Sequence, residues 1–318
     1  MLGQNSQSKL SYPKVSVVTV TYNCVDLVES TLRNVLKQTY PNLEYIVIDG
    51  NSTDGTRQVV ERYADRLAYC VSEPDNGIYD AMNKGIHAAT GEWIIFMNAG
   101  DYFLQSTTVE DVFGSYDDKG EVMIAGGIRC FIKEGYFDRM PVPSITNNIT
   151  PPHTHTRTLS QNNFIKEGLF VHTPKVFGDE IWNYNMFPHQ AMFIRLSVHK
   201  KYLFPQNLKI VGDYCVFMKI MLSNAPYVIY NGIVALFRNE AGASTRNENF
   251  TKIWDERLMV MQMLGASENV IKEKKRQRNK MMVQRWVLAV MKLFPFIYKP
   301  YHLRMYIRQP LEETLKNV

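Results

Sequence analysis

The sequence predicts an α/β fold in which a mostly parallel β-sheet is flanked by helices and followed by a basic helical extension. Short apolar runs rich in β-branched residues recur along the first hundred residues, and segments with helical periodicity separate them. These runs do not alternate with polar residues, which is typical of parallel strands buried on both faces. Parallel strands joined through helices need crossover connections, which are right-handed in nearly all proteins. The chain has 318 residues, 45% of them hydrophobic, which is enough for a large core.

The first third of the chain contains four predicted strands and three predicted helices. β-branched residues between turn signals indicate the strands, at 15–21, 43–48, 67–71 and 93–97. Apolar residues spaced three and four apart indicate the helices, at 26–39, 57–64 and 78–89. Glu29 follows Asp26 by three residues, which predicts a capping box at the start of the first helix.

The middle of the chain is predicted to be less regular. Residues 133–188 are rich in proline, and a loop region of this length is usually functional or partly disordered. Gly126 and Gly127 predict a bend or bulge within a strand. The other predicted elements are a helix at 107–116, strands at 122–131 and 190–195, a helix at 212–222, and strands at 227–230 and 233–237.

Charge divides the chain near residues 245–250. Residues 251–318 hold 14 Lys and Arg against 6 Asp and Glu, a balance of +8 that leaves −3 for the rest of a chain whose net charge is +5. We expect a disordered polar N-terminus without a signal peptide at 1–14, a globular body at 15–248 and a basic amphipathic helical tail at 249–318. No run of residues reaches the ~20 apolar positions of a membrane span.

Several kinds of site are not indicated. The four cysteines lie far apart and form no Cys-x-x-Cys pair, so neither a zinc site nor a disulfide framework is predicted. Reduced thiols in a cytosolic protein fit this pattern best. The Lys-Ser/Thr ending of a P-loop and the three-glycine dinucleotide fingerprint are both absent from the sequence.

Acidic residues follow two of the predicted strands. Asp101 comes after strand 93–97 on a tight Ala-Gly turn, and the turn 49–56 follows strand 43–48. Loops at the carboxyl ends of parallel strands form the crevice in which α/β sheets bind ligands. A carboxylate in that crevice can meet a hard divalent cation and a diphosphate. Ordinary turns and helix caps also use Asp, so that alternative stays open for both segments.

Several blocks of the sequence, in this order and spacing, closely resemble the family 2 glycosyltransferases, which have a Rossmann-like GT-A fold. The blocks are Thr19-Val-Thr21-Tyr-Asn23, Asp49-Gly-Asn-Ser52-Thr-Asp54-Gly-Thr56, Ser72-Glu-Pro-Asp75-Asn-Gly77-Ile-Tyr79-Asp80-Ala-Met-Asn83-Lys84-Gly85, Gly91-Glu92 and Asn98-Ala-Gly-Asp101. The resemblance is strong over 15–105, weaker over 106–245 and not visible over 250–318. It implies an inverting, metal-dependent enzyme that uses nucleotide-diphosphate sugars, with a nucleotide-sugar half at 15–105 and an acceptor half at 106–248.

The resemblance implies a donor site at the ends of the first strands. Asp49 matches the acid that reads the base, typically the imide N–H of uracil, and an ionised carboxylate accepts hydrogen bonds from such an edge. A UDP-sugar is therefore the favoured donor. The residues that would lie under the nucleotide are Thr19, Tyr22 and Asn23, and those that would face the ribose and diphosphate are Asp75, Gly77 and Lys84.

The block from Asn98 to Asp101 occupies the place of the family's Asp-x-Asp motif, with Asn98 replacing the first acid. This correspondence implies Asp101 as the ligand of Mn²⁺ or Mg²⁺ and places Asn98 near the ribose or the donor sugar, with Ala99 and Gly100 in the same donor-binding turn. The loss of one acid weakens the charge that holds the cation, although the diphosphate also supplies oxygens.

An inverting transfer needs a general base that deprotonates the acceptor hydroxyl. The family's base is an acid at the start of a helix after the acceptor region, and the match in this chain is Asp213. A helix N-cap is the alternative role for this residue. Pro188-His189-Gln190 also resembles a family block, which makes His189 and Gln190 candidates for contact with the diphosphate, the metal or the acceptor. A packed, hydrogen-bonded histidine is the alternative for His189.

Residues 238–246 resemble the flexible loop that closes on the donor phosphates in the family. Arg238 and Arg246 are candidates for the phosphate side of the site, and a solvated loop is the alternative. His153 and His155 alternate in sequence, but no third ligand is visible near them, so a loop rather than a metal pair is predicted there.

The basic tail predicts contact with an anionic surface. Residues 281–308 combine aromatic residues such as Trp286 with Lys and Arg, a composition typical of helices at a membrane interface. We expect peripheral association with the cytoplasmic face of the inner membrane, which suits the lipid-linked saccharide acceptor of bacterial polysaccharide assembly that the resemblance implies. A solvated helical cap or a homodimer-forming helix is the alternative. No motif for reading nucleic acid is recognisable.

Two other functions stay open at this level. A nucleotidyltransferase of related architecture would carry a Gly-rich loop with Arg and Lys after the first strand, where Thr21-Tyr22-Asn23-Cys24 stands instead. A catalytically inactive sugar-nucleotide-binding assembly subunit is suggested by Asn98 in the Asp-x-Asp position.

Overall fold

The protein has a mixed α/β fold, seen here in a computed structural model that describes residues 12–114, 116, 118–131, 169–172, 178–183, 187–238 and 249–293. The chain divides into two compact units, Met1–Val260 and Met261–Val318, which are considered separately. Within the described residues the first unit contains a nine-stranded sheet with helices packed against it.

The strands of the sheet occur along the chain in a different order from their order in space. In space the order is β3-β2-β1-β4-β8-β6-β9-β5, with β7 paired to β9. The bounds are β1 Val15–Thr21, β2 Leu43–Asp49, β3 Tyr69–Ser72, β4 Trp93–Phe96, β5 Tyr102–Phe103, β6 Met123–Phe131, β7 Leu169–His172, β8 Met192–Arg195 and β9 Tyr227–Arg238.

The two halves of the sheet differ in strand direction. β1 is parallel to both β2 and β4, and β2 is parallel to β3, as predicted for residues 15–105. β8 is antiparallel to β4 and β6, and β5 and β7 are antiparallel to β9, whereas β6 and β9 are parallel. The prediction of a mostly parallel sheet is therefore correct for the first half only. Hydrophobic patterning reports burial and says little about strand direction.

Eight helices are present in the described part of the chain: α1 Val25–Val35, α2 Thr56–Glu61, α3 Ile78–Ala88, α4 Thr108–Gly114, α5 Leu196–Lys201, α6 Gly212–Leu222, α7 Phe250–Met263 and α8 Glu268–Leu293. Short 3₁₀ turns occur at Ala64–Arg66, Gly178–Asn183 and His189–Ala191. Neither α5 nor β5 was predicted from the sequence, and the strands predicted at 227–230 and 233–237 form the single strand β9. The bulge predicted at Gly126-Gly127 is present, since the β6–β9 register shifts there.

The predicted capping box at α1 is not formed. Glu29 instead accepts hydrogen bonds from Arg33 at 2.8 Å and from the Tyr63 hydroxyl at 2.8 Å. Asp54, from the loop after β2, accepts a hydrogen bond from the Val25 N–H at 3.0 Å at the start of the helix. A tertiary partner thus satisfies a donor at the start of the helix, where a local capping box was expected.

The core lies on both faces of β1, β2 and β4, which explains their continuous apolar sequences. Every residue of β1 and β4 is buried. Helix α1 packs its Val28, Leu32 and Val35 face against the sheet, with helical spacing as predicted. Fully burying such a side chain stabilises the fold by about 1.5–3 kcal/mol.

A buried carboxylate joins three strands at their amino ends. Glu44 of β2 accepts hydrogen bonds from the backbone N–H groups of Thr90 at 2.6 Å and Gly91 at 2.9 Å, just before β4. Ser16 of β1 and the Lys14 ammonium also contact it, the latter at 2.6 Å. Burial opposes ionisation, but these donors outweigh it and lower the pKa of Glu44 to about 2.

The second unit, described to residue 293, contains the whole of α8, which is 26 residues long. Trp286 and Val283 are 67% and 61% exposed on this helix. Of the helices in the described ranges, none has both the length and the apolar character that crossing a bilayer requires.

Replacement of Glu44 by Gln should lower the free energy of unfolding at pH 7 by about 2 kcal/mol, because Gln offers one acceptor oxygen and no charge to these donors. The depressed pKa contributes stability above about pH 4.5, and wild type should lose it as the pH falls towards about 2. The Glu44→Gln variant should lose less of its free energy of unfolding over the same pH interval, because its amide group does not titrate. Urea unfolding at pH 7 and pH 3 measures both effects.

The matched control is Glu61→Gln, which removes an exposed ion pair with Arg57. Such pairs contribute little, so a change below about 0.5 kcal/mol is expected. Equal effects of the two substitutions at pH 7 would contradict the role given to Glu44.

Candidate active site

The polar residues singled out from the sequence meet at the carboxyl edge of β1, β2, β3 and β4. The parallel pairing places Thr21 opposite Asp49, and Asp49 opposite Ser72, so the loops after these strands are neighbours. The 3₁₀ turn that begins at His189 and the start of α6 reach the same edge through hydrogen bonds to this region. The sheet therefore assembles residues from distant parts of the sequence.

Asp49 organises the loops on the donor side of this edge. Its carboxylate is buried and accepts four hydrogen bonds, from the hydroxyls of Thr21 (2.9 Å), Ser52 (2.5 Å) and Ser72 (2.5 Å) and from the Ser52 N–H (3.0 Å). Burial opposes ionisation, but these hydrogen bonds lower the pKa of Asp49 below its usual value. A carboxylate has about four acceptor positions. That Asp49 reads the nucleobase of the donor stays a prediction. In this geometry such a contact requires the hydroxyl of Ser52 or Ser72 to turn away from the carboxylate.

The loops after β1, β2 and β3 approach one another at Gly50. A Cβ atom there would lie 2.5 Å from Asp75 Oδ2 and 3.2 Å from the Tyr22 ring, so any other residue would push the Asp75 carboxylate away. Tyr22 is largely exposed, and Asp75 accepts a hydrogen bond from the Gly77 N–H at 2.8 Å. Gly77 has a φ of 116°, which favours glycine. These residues form an exposed polar surface at the edge of the sheet.

Thr19 and Asn23 support this surface. Thr19 is buried and donates to the Met97 carbonyl at 2.7 Å, which joins β1 to the end of β4. Asn23 accepts a hydrogen bond from the Thr53 N–H at 2.9 Å and so links the loops after β1 and β2. Thr19 therefore lies beneath this surface without access to a ligand, and its place under a nucleotide stays a prediction.

The ammonium of Lys84 is engaged by residues just before its own helix, and its predicted contact with the diphosphate stays a prediction. Its ammonium forms an ion pair with Glu73 at 2.8 Å and donates to the Pro74 carbonyl at 2.8 Å. Lys209, which was not predicted as a site residue, lies closer to the glycine of this loop. Its ammonium donates to the Asn76 carbonyl at 3.1 Å and lies 4.0 Å from where a Cβ on Gly77 would be.

The turn from Asn98 to Asp101 presents a buried carboxylate. Asp101 N–H donates to the Asn98 carbonyl at 2.9 Å, and Gly100, with a φ of 96°, donates to Thr31 at 2.9 Å. Ala99 is part of the same turn. Gln190 donates to Asp101 Oδ2 at 3.1 Å. Burial raises the pKa of Asp101 to about 6, against the opposing effects of His189 and Gln190.

The same turn contains a buried oxygen whose hydrogen-bonding capacity is unused. Asn98 Oδ1 has no hydrogen-bond partner among the described residues. An amide oxygen and a desolvated carboxylate on one short turn are the oxygen ligands that Mg²⁺ and Mn²⁺ accept. The described residues contain no group of three or more His, Cys, Asp or Glu that could hold a metal. Asp101 and Asn98 thus fit a cation whose remaining ligands come from a substrate and water.

His189 and Asp213 form a hydrogen-bonded pair beside this turn. His189 Nδ1 lies 3.0 Å from Asp213 Oδ2, and His189 Nε2 lies 3.2 Å from Asn98 Nδ2. Burial alone would lower the pKa of His189, but the hydrogen bond and charge of Asp213, together with the charge of Asp101, raise it. The N-cap of α6 is Val211, so Asp213 does not occupy the alternative position considered for it.

Two consecutive residues connect the two acidic groups of the site. Gln190 contacts Asp101, whereas His189 contacts Asp213 and Asn98. The resulting chain of contacts runs from Asp101, whose carboxylate is suited to a cation, to Asp213, whose carboxylate is suited to accept a proton. Its connectivity was not predicted, although every residue in it was a candidate.

A small cavity lies behind the His189–Asp213 pair. Its volume is about 10 Å³, which is room for about one water molecule. Phe96, Phe204 and the buried His199 line it with this pair. Burial lowers the pKa of His199 to about 4, so its ring is neutral at pH 7. The sequence carried no signal that would have brought His199 to this site.

The phosphate-side arginines are only partly seen. Arg238 ends β9, and its Cδ lies 3.9 Å from where a Cβ on Gly100 would be, next to the turn that contains Asp101. Arg246, His153 and His155 lie outside the described residues.

The fold and this edge of the sheet define an α/β protein with a metal-compatible acidic turn opposite a histidine–aspartate pair. The chain belongs to glycosyl transferase family 2, whose family model matches residues 16–181. The family resemblance inferred from the sequence blocks is thereby confirmed.

Curated relatives match the first part of the chain. An uncharacterized glycosyltransferase of Mycobacterium tuberculosis is 38% identical over 113 residues, which is 35% of this chain and 43% of that protein. The putative teichuronic acid biosynthesis glycosyltransferase TuaG of Bacillus subtilis is 37% identical over 92 residues, 28% of this chain and 36% of that protein. The matched part of the chain thus spans less than half the length of these relatives.

Solved structures share the fold over most of the chain. S. aureus TarS 1–349 in complex with UDP-GlcNAc is 20% identical, with a TM-score of 0.55 over 95% of this chain and 77% of that one. The mannosyltransferase PcManGT from Pyrobaculum calidifontis, in complex with GDP-Man and Mn²⁺, is 17% identical, with a TM-score of 0.56 over 92% of this chain and 83% of that one. The GT-A fold predicted from the sequence is confirmed.

Proposed function

We propose that the protein is an inverting glycosyltransferase that moves a sugar from a nucleoside-diphosphate donor to a saccharide acceptor. The observation that carries this proposal is the placement of Asp101 and Asp213 on the two sides of one hydrogen-bonded network at the carboxyl edge of the sheet. Family membership supports transfer of a sugar. A group that accepts a proton and a group that holds a cation are the two requirements of such a reaction.

The donor surface is formed by the loops that Asp49 organises, with Tyr22 and Gly77 exposed on it, Asp75 half-buried in it and Asn23 supporting it. We favour a UDP-sugar, because the carboxylate of Asp49 next to this surface suits the imide N–H of uracil. TarS, which shares the fold, was crystallised with UDP and with UDP-GlcNAc, whereas the structure of PcManGT is a complex with GDP-Man and Mn²⁺. Lys209, rather than Lys84, is the cation that we place nearest the diphosphate.

Asp101 holds the divalent cation in this proposal, and the unpaired Asn98 Oδ1 faces either the cation or the donor sugar. When bound, Mn²⁺ or Mg²⁺ supplies positive charge that offsets the charge on the departing nucleoside diphosphate. Gln190 keeps one oxygen of Asp101 oriented. Arg238, at the end of β9, supplies further positive charge on the phosphate side, and Arg246 stays a prediction for the same role.

Asp213 is the general base. Its carboxylate takes the proton of the acceptor hydroxyl while that oxygen forms a bond to the anomeric carbon and the bond from this carbon to the phosphate oxygen breaks. The electron pair leaves with the nucleoside diphosphate. His189 donates from Nδ1 to Asp213 Oδ2, since a carboxylate oxygen only accepts, and this contact orients the base.

The acceptor that we propose is a lipid-linked saccharide in cell-surface polysaccharide biosynthesis. TuaG is named for teichuronic acid biosynthesis, and this relative supports a polysaccharide product. The exposed Trp286 and Val283 on the basic helix α8 support peripheral contact with an anionic membrane, on its cytoplasmic side.

Nucleotide binding gives the first test. UDP at a hundredfold excess over Kd should raise the melting temperature by about 5 °C, and Mn²⁺ should increase the shift. GDP, CDP and dTDP should produce smaller shifts. The Asp101→Ala variant should keep a shift with UDP and lose the increment from Mn²⁺. A larger shift with GDP or dTDP would overturn the choice of uracil as the nucleobase of the donor. The absence of any shift would favour a site that forms only with acceptor or membrane.

Substitution of the proposed base gives the second test. Asp213→Asn should lower kcat by about 10²–10⁴-fold, since a positioned base contributes on this scale, while the shift with UDP and Mn²⁺ stays. Asp65→Asn, at an exposed position, is the control and should keep full turnover. If wild type, Asp213→Asn and Asp101→Ala bind nucleotide equally and none turns over a sugar donor, the protein is a binding subunit rather than an enzyme.

The membrane role of the tail has its own test. The full chain should sediment with vesicles that contain 30% anionic lipid (roughly the charge density that polybasic segments recognise) and not with neutral vesicles. Trp286→Ala should weaken binding by about threefold to tenfold, because a large exposed apolar group is removed. Equal binding of wild type and Trp286→Ala to the anionic vesicles would indicate that α8 serves another purpose, such as dimerisation. Sedimentation equilibrium would then detect the dimer.

A further inference from the structure

The segment that leads into the proposed base is held by a residue far along the chain. Residues 209–213, called the base segment below, end in Asp213 at the second position of α6. Glu256 of α7 accepts hydrogen bonds from three consecutive N–H groups of this segment: Lys209 at 3.0 Å, Ile210 at 2.8 Å and Val211 at 3.1 Å. Glu256 is 6% exposed, and all of these residues belong to the first unit.

This carboxylate fixes the backbone that leads into α6. The N-cap of α6 is Val211, whose side chain cannot accept a hydrogen bond, and α6 has no side-chain cap bond of its own. Backbone N–H groups at the start of a helix need acceptors, and the helix dipole favours a negative charge there. Glu256, from another helix, accepts from the Val211 N–H and from the two N–H groups before it, and so places a negative charge beside the helix start.

The base segment is also held from the donor side. The Tyr79 hydroxyl of α3 donates to the Ile210 carbonyl at 2.7 Å. A Cβ on Gly212 would lie 2.7 Å from the Tyr79 ring, so the segment rests against this ring. Next to Glu256, the Arg257 guanidinium lies over the Tyr214 ring at 5.1 Å from its centre. Helices α3 and α7 therefore hold the start of α6 from two sides.

We propose that Glu256 is a positioning residue for the glycosyl transfer, acting through the backbone of residues 209–211 to set the position of Asp213. This inference rests on the proposed function. Asp213 lies 3.0 Å from His189, and a displacement of about 1 Å at a catalytic group can cost on the order of a hundredfold in rate. Glu256 lies outside residues 16–181, the part of the chain that the family model matches.

The direct test is amide hydrogen exchange of the full chain followed by mass spectrometry. Glu256→Gln keeps the size of the side chain, but its amide group turns an N–H donor towards backbone donors. Protection of residues 209–214 should fall by at least about tenfold, with the exchange of β1 and β2 unchanged. Unchanged protection of this segment overturns the proposal, whatever the enzyme's donor proves to be.

The functional test is a double-mutant cycle. Glu256→Gln alone should lower kcat by about 10–100-fold, with the KM for the donor changed by less than about threefold. In the Asp213→Asn background the same substitution should lower the residual rate by less than about twofold, because the residue through which it acts is already disabled. A general loss of structure would instead lower both rates by the same factor, and that result overturns the proposal.

Two controls complete the design. Glu61→Gln, the same change at an exposed position, should leave protection and turnover unaltered. If Glu256→Gln does not fold, Glu256→Asp, which keeps the charge with a shorter side chain, takes its place. A kcat loss that occurs when Asp213 is intact and is absent in the Asp213→Asn variant again supports the proposal. If wild type transfers no sugar from any donor, the proposed function fails by itself, and the exchange result still decides whether Glu256 holds the base segment.

Discussion

The buried carboxylate of Asp49 is the interaction on which the donor side of this protein depends. It lies at the end of β2 and accepts hydrogen bonds from Thr21 of β1, Ser52 of the next loop and Ser72 of β3. A buried charge is tolerated only when its acceptor positions are filled, so the three loops must approach one another for the protein to fold. This requirement brings Tyr22, Gly50 and Asp75 into contact and produces the exposed polar surface that we assign to the nucleotide.

The other side of the site depends on chain direction. Because β8 runs antiparallel to β4, the residues that precede β8 lie at the carboxyl edge of β4, next to Asn98 and Asp101. His189 and Gln190 are consecutive, yet they bond to different acidic groups, which fixes the spacing between the proposed metal ligand and the proposed base. Asp101 and Gln190 are buried and His189 and Asp213 are half-buried, so little water competes with these interactions.

Much of the fold and part of the site were predictable from residue patterns. The apolar runs identified β1, β2 and β4, and helical spacing identified α1, α3 and α6 within a few residues. The positions of Asp49 and Asp101 after strands identified them as candidates, and the family resemblance identified Asp213. The partners of charged groups were less predictable: Lys84 pairs with Glu73, and Glu29 pairs with Arg33 and Tyr63 instead of capping its helix. Long side chains have several partners within reach, and local spacing does not decide among them.

The sequence by itself determined the order of strands and helices in the first hundred residues, the burial of the first strands, the family and the acidic residues at the strand ends. These features depend on residues that are close in the chain, where periodicity and turn chemistry act directly. The tertiary structure alone decided the mixed direction of the second half of the sheet, the contact between His189 and Asp213, and the three bonds from Glu256 to the segment before Asp213, across 45 to 47 residues. Such contacts form because the folded chain places an acceptor near unpaired donors, and no local pattern encodes which distant acceptor that will be.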